Sequence, residues 1–151
     1  MNDIVETWHI NNLINLYLTA SIDEAHFSDT ASSKGRTVGE QLAHLHNVRL
    51  MWLKAAQPEL LSGVEKIEKE HIAKKVVLEQ LGKSGQAIAD MLETGLREGR
   101  IKGFKPHPTA FLGYIIAHEA HHRGQIALSL KQSGHPLDKK VSFGMWEWGS
   151  R

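Results

Sequence analysis

The amino-acid sequence predicts an all-α protein, a single domain over residues 1–151 folded as an antiparallel four-helix bundle. Apolar residues recur at helical spacing through four long stretches. Segments rich in Gly, Pro and small polar residues separate them, and most are short enough to join neighbouring helices. No stretch alternates apolar and polar residues over the length of a strand, and there is no internal repeat.

The first helix runs from about Asp3 to Ala25, with Ile4, Val5, Trp8, Leu13, Ile14, Tyr17 and Leu18 as its apolar face. The polar stretch SDTASSKGR, Ser28 to Arg36, is a loop. Thr37 and Glu40 have the spacing of a capping box, in which each end supplies a hydrogen bond to the other's backbone. Val38, Leu42, Leu45, Val48 and Trp52 follow, and the helix should end near Ala56, ahead of Pro58. Glu59 to Glu70 is a charged connection. The third helix covers about Ile72 to Glu98 on Val76, Val77, Leu81, Ile88, Met91, Leu92 and Leu96. Gly99 to Pro108 is a loop. The fourth helix runs from about Thr109 to Gln132 and is stopped by Ser133, Gly134 and Pro136. In the tail, Trp146 and Trp148 are expected to pack on the bundle or in a dimer interface, while Trp8 and Trp52 belong to the core.

Composition narrows the function. With 41% hydrophobic and 23% charged residues, the chain has enough apolar area to offset the ordering entropy, which excludes general disorder. No run approaches the roughly 20 apolar residues of a membrane span. The 18 basic and 17 acidic residues nearly cancel, and no basic stripe points to nucleic acid. MNDIVETWHINN lacks a basic segment followed by an apolar one, so the expected location is the cytoplasm. Cysteine is absent and histidine numbers 10. Any transition metal must therefore sit on imidazole and carboxylate.

The informative segment is His118-Glu119-Ala120-His121-His122. His118 and His122 are four apart, so on a helix their Cβ atoms lie about 5–6 Å apart on one face. Phe111, Ile115 and Ile126 share that face, which turns the pair toward the core. Two neutral imidazoles there are costly unless something satisfies them; a metal does, and the alternative is a hydrogen-bonded pair at the bundle rim. A third imidazole is available from His44 or His46 in LAHLHNVR. These diverge by about 160° around a helix, and both flank the apolar stripe, so periodicity leaves the choice open. Three imidazoles from two helices leave open coordination positions, as catalytic sites do.

HEAHH also matches H-E-x-x-H, in which the glutamate serves as general base of a zinc protease. Gln125 and Leu128 stand where the longer metzincin pattern has Gly and a third His, and the usual sheet is missing. Glu119 is therefore read as a solvated or ion-paired carboxylate, or as a partner to a ligand. Arg49 and Arg123 are candidates for an anionic substrate, but surface ion pairs are the preferred reading.

TVGEQLAHLHNVRLMWL on the second helix, with AHEAHHRGQIALSLKQSGHP on the last, resembles the DinB-like (YfiT-like) metal-binding bundle family. FGMWEWG is similar to the tails of some members. The resemblance implies an antiparallel four-helix bundle, a three-histidine site for a divalent transition metal, most often nickel or zinc, and a homodimer. Its V-x-x-x-L-x-H pattern falls on Val38, Leu42 and His44, so the resemblance selects His44 as the first ligand, with His118 and His122 as the others. His46 and His121 become neighbours. Some family members transfer a low-molecular-weight bacterial thiol, and others resemble mycothiol-dependent isomerases.

The resulting expectation is a metal-dependent enzyme in which the three-histidine site activates a small thiol for transfer to a small electrophile. The lack of protein cysteine agrees with a thiol that arrives as substrate. The alternatives are a metal-dependent hydrolase, with Glu119 or a spare histidine moving protons, and a non-enzymatic metal-binding or dimerising module. The expected partners are a small-molecule substrate and a second copy of the chain, with neither nucleic acid nor membrane.

Overall fold

The structure, a computed structural model, describes residues 2–151. It is all-helical, with α1 Asp3–Ser21, α2 Val38–Ala56, α3 Lys74–Glu98, α4 Pro108–Gln132 and α5 Lys139–Gly144. Among the described residues the one β-type pairing is an isolated bridge between Ile101 and Phe104. No helix among them is long and apolar enough to cross a membrane.

Local chemistry accounts for most helix ends. The Asn2 side chain accepts from the backbone N–H of Ile4 at 2.7 Å and opens α1, with Asp3 and Glu6 at the positive end of the helix dipole. α1 stops at Ser21, short of the expected Ala25. Ile22 turns extended and buried, and the Asp23 carboxylate accepts from Ala25 N at 2.9 Å, starting a separate 3₁₀ turn over Glu24–Ser28. An aspartate caps a new turn better than it continues a helix. The capping box at α2 forms in full: Thr37 Oγ1 accepts from Glu40 N, and Glu40 Oε1 accepts from Thr37 N, both at 3.1 Å. α3 ends on Gly99 at φ +78°, a left-handed cap that favours glycine. α4 begins with Pro108 at its first position, where the missing N–H costs nothing.

Residues 57–73 double back along α2. Glu65 lies at His46, Ile67 at Asn47, Lys69 at Glu40 and Ile72 at Gly39. α3 consequently starts beside the start of α2. α1 packs on α3 and α4, and α2 on the same two helices.

The interior has two apolar clusters. One gathers Val5, Trp8, Leu53, Ile88, Leu92, Phe111 and Ile115. The other gathers Leu18, Leu42, Leu45, Val77, Leu81, Ile126 and Leu130. Between them, in each helix's sequence, come Asn11 and Asn15, Arg49, Ser84, and Glu119. All are buried, and they form a polar waist. Arg49 Nε donates to Glu119 Oε2 and Arg49 Nη2 to Glu119 Oε1, both at 2.8 Å. Asn11 and Asn15 donate to Glu119 Oε1 at 3.0 and 2.7 Å. Arg49 Nη1 donates to Leu81 O and Ser84 Oγ, and Arg123 Nη1 donates to the Asn11 and Asn15 carbonyls. Trp8 is fully buried as expected, and its Nε1 donates to Gly85 O at 2.8 Å.

The tail packs on α1. It forms α5, and what anchors it is Tyr17: Gly144 lies against its hydroxyl end, and the Arg151 guanidinium sits 4.1 Å over its ring. Trp146 remains 79% exposed, while Trp148 is half-buried.

The Arg49–Glu119 pair has a measurable consequence. Arg49→Met removes one partner and leaves the other charge buried, so it should cost about 3–5 kcal/mol in urea unfolding. Arg49→Met combined with Glu119→Leu should recover part of that loss, because no uncompensated charge is left.

Candidate metal centre

α2 and α4 bring three imidazoles together. One ring nitrogen from each of His44, His118 and His122 lies within 4.8 Å of the other two. The ring centroids are 5.3 Å apart for His44 and His118, and 4.6 Å for the other two pairs. The ring planes are mutually inclined by 59°, 69° and 70°. An imidazole lone pair lies in its ring plane, so inclined planes can meet at one ion. His122 is buried, and the other two are half-buried.

The partners of these rings agree with a metal site. His122 Nδ1 lies 2.5 Å from Gln41 Oε1. An amide oxygen accepts, so Nδ1 carries the proton and Nε2 is left with its lone pair. His118 Nδ1 is buried without a hydrogen-bond partner among the described residues, a state that costs free energy unless something binds it. Burial pushes all three imidazoles below the ordinary histidine range, and the charge of Arg36 adds to this at each. The Glu119 carboxylate opposes the shift at His118. Burial, with His118 and His44 as the nearest charge partners, brings His122 to about 4. The three rings are therefore neutral at pH 7, as metal ligands must be.

The structure brings His44, and not His46, to the other two rings. His46 is fully buried on the other flank of α2, and both its nitrogens are occupied. Its Nε2 donates to Glu65 O at 2.6 Å, and its Nδ1 accepts from Ser84 Oγ at 2.9 Å. The same Ser84 hydroxyl accepts from Arg49, so His46 belongs to the polar waist. His121 is exposed, with its ring centroid 5.1 Å from that of His122.

Glu119 takes the ion-paired reading, yet fully buried. Its carboxylate accepts four hydrogen bonds and points away from the role of a proton shuttle. Arg49 and Arg123 are not surface ion-pair residues. Arg49 has no exposed surface, and Arg123 is only partly exposed, with its guanidinium tied to Asn11 and Asn15. The sequence does carry a signal for Arg49 and Glu119. Each sits in phase with an apolar stripe, Arg49 with Leu42, Leu45 and Leu53, and Glu119 with Leu112, Ile115, His122 and Ile126.

A second cluster, His26, Asp29 and His135, has ligand atoms equally close together. Its geometry is different. The two imidazoles are stacked with centroids 3.7 Å apart and planes only 4° apart. Parallel, offset planes share no point where one ion could meet both lone pairs. His135 Nδ1 instead pairs with Asp29 Oδ2 at 2.7 Å. With Ser133 Oγ donating to Thr30 O at 3.0 Å, the cluster clasps the end of α4 to the segment before α2.

The model of the DinB family matches residues 1–139. The chain belongs to the DinB family. No curated protein and no solved structure matches it. In this DinB protein, the histidines that the sequence resemblance selected are those that the fold gathers on facing flanks of α2 and α4.

Two measurements probe the site. Gln41→Ala removes the acceptor that orients His122, and metal affinity by competition titration should fall about 10–100-fold. The second concerns pH. Folded His46 and His122, both brought to about 4, hold protons less tightly than in the unfolded chain near 6.5. The unfolded state thus binds more protons in this window, so stability of the metal-free protein should fall as pH drops from about 6.5 to 5. Above about pH 7.5 both states hold these rings neutral and the dependence is lost. A urea midpoint that stays constant through the window would contradict the burial of these rings as neutral groups.

Proposed function

We propose that this protein is a metal-dependent enzyme that activates a low-molecular-weight thiol for transfer to a small electrophile. The observation that carries the reading is the His44–His118–His122 cluster, with its inclined rings and its one unpartnered buried nitrogen. The reading places this cluster in an antiparallel four-helix bundle, with α2 and α4 running in opposite senses. The contact of Gln41 with His122, and of Trp52 with Phe111, supports that sense.

The donor set is three neutral imidazoles without thiolate, which zinc, nickel, copper and iron all accept, and the family resemblance favours zinc or nickel. Such an ion supplies Lewis acidity that lowers the pKa of a thiol. The chain's own residues do the rest. His44, His118 and His122 hold the ion and, being only three, leave positions for substrate. Gln41 fixes the tautomer and orientation of His122. The waist below excludes water from one side of the site through fully buried Glu119 and Arg49. Half-burial of His44 and His118 keeps the other side accessible. In the reaction the thiol proton passes to solvent base, sulfur forms a bond to the electrophilic carbon, and the leaving group departs with its electron pair. Because the chain has no cysteine, no thiol of its own competes for the site.

The hydrolase alternative loses Glu119, whose carboxylate is spent on Arg49, Asn11 and Asn15, and would have to move protons through the spare histidine His121, exposed beside His122. The thiol reading requires no protein base, because a thiol of lowered pKa ionises in water.

Metal content by elemental mass spectrometry, on protein purified without a histidine tag, tests the site. About one ion per chain is expected in the wild type and in His121→Ala. Loss is expected in His44→Ala, His118→Ala and His122→Ala. Turnover of a small thiol with an electrophilic haloalkyl fluorophore should then fall at least about 100-fold in the metal-free variants. A wild type that binds neither zinc nor nickel would overturn the reading, and a loaded wild type without thiol turnover would overturn its reaction.

A further inference from the structure

A cavity of about 250 Å³ opens beside His44, between α2 and the segment 57–73. Its wall carries three cations, Arg36, Lys66 and Lys69, and two carboxylates, Glu40 and Glu68. The segment bearing the two lysines is held in place rather than loose. Asn47 Nδ2 donates to Ile67 O at 3.0 Å, Ile67 N donates to Asn47 Oδ1 at 2.9 Å, and the Ile67 side chain is buried. Both lysines have carboxylate neighbours. Lys69 Nζ lies 3.6 Å from Glu40 Oε2, and Lys66 Nζ lies 3.9 Å from Glu68 Oε2.

Arg36 is different. No carboxylate lies within ion-pair distance of it among the described residues. The sequence offered Arg49 and Arg123 as anion-binding candidates, and both are spent inside the protein. The cation without a carboxylate partner in the cavity beside His44 is Arg36, an exposed residue at the end of the loop before the α2 cap.

We propose that Arg36 receives an anionic group (carboxylate, phosphate or sulfonate) of the small thiol that binds at His44, His118 and His122. The inference rests on the metal-site reading above and adds the substrate's charge. The guanidinium is planar, always ionised, and able to donate two parallel hydrogen bonds to such a group. Lys66 and Lys69 are already partnered and act as a weaker background field. Arg36 is a specificity residue, set beside the reacting atoms and taking no part in bond formation.

The test uses the cobalt(II)-substituted full chain and its visible absorption. Two probes share one thiol arm and differ in charge: 2-mercaptoethanesulfonate and neutral 2-mercaptoethanol. Sulfonate is a poor metal ligand, so a preference for it reports on the protein. The wild type should bind the sulfonate about three- to tenfold more tightly, the range expected for a solvent-accessible charge-assisted contact. Arg36→Ala should bring the ratio to about one, and Arg36→Lys should keep an intermediate value. Lys66→Ala with Lys69→Ala should change it less than Arg36→Ala does. Circular dichroism confirms that each variant remains helical. A wild-type ratio of one, or an unchanged ratio in Arg36→Ala, overturns this inference and leaves the metal site standing. Failure of the wild type to take up cobalt overturns the metal site and this inference with it.

Discussion

The buried Arg49–Glu119 ion pair sets the rotation of two helices, and the histidine cluster follows from it. Both side chains are wholly buried, and the guanidinium meets the carboxylate through two bonds of 2.8 Å. Such a pair must point inward, because turning either charge outward would strand the other in the interior. At about 100° per residue, His118 and His122 then lie about 100° and 60° to one side of Glu119 on α4. On α2, Gln41 and His44 lie together on one flank of Arg49, while His46 lies on the opposite flank. The two flanks that carry Gln41, His44, His118 and His122 face each other. The ion pair thus acts as a register pin, a role better attested for buried charges than net stabilisation.

The waist explains why this pair is tolerated. Burial of an ion pair costs free energy unless its remaining donors and acceptors are satisfied. Asn11 and Asn15 fill the carboxylate, Leu81 O and Ser84 Oγ take the third guanidinium nitrogen, and Ser84 hands its own hydrogen to His46. All four long helices take part. The layer separates two apolar clusters that would otherwise merge into one uniform core, in which helices could slide or rotate at small cost. A polar layer with directional bonds removes that freedom and gives the site a fixed floor.

Much of the helical architecture was legible because its signals are local. The capping box at Thr37, Pro108 at the start of α4 and Gly99 after α3 act within a few residues of themselves. The end of α1 was misplaced because the apolar period carries on past Ser21, whereas the Asp23 cap depends on Ile22 being buried by distant neighbours. His44 and His46 were indistinguishable by period. What separates them is Glu65 O, supplied by an irregular segment whose path along α2 no periodicity encodes. Residue type alone assigns Arg49 and Arg123 to the surface and leaves Glu119 between a solvated and an ion-paired reading. Their position in the helical phase points inward for Arg49 and Glu119, and phase proved the better guide there.

The comparison of the two histidine clusters carries the same lesson into chemistry. Both gather three candidate ligands within the same distance, so proximity alone does not distinguish them. At the bundle's end, the His26 ring comes from the 3₁₀ turn Glu24–Ser28 and the His135 ring from the connection after α4; they lie flat on each other, and Asp29 supplies the charge that orients one of them. In the middle, the rings of His44, His118 and His122 project from two rigid helices whose rotation the ion pair has already fixed, and they cannot flatten onto one another. They are held apart, inclined, neutral and incompletely bonded. Long helices impose on the central site the mismatch among its own groups that a ligand can relieve, whereas a short turn and a connection let the outer cluster satisfy itself.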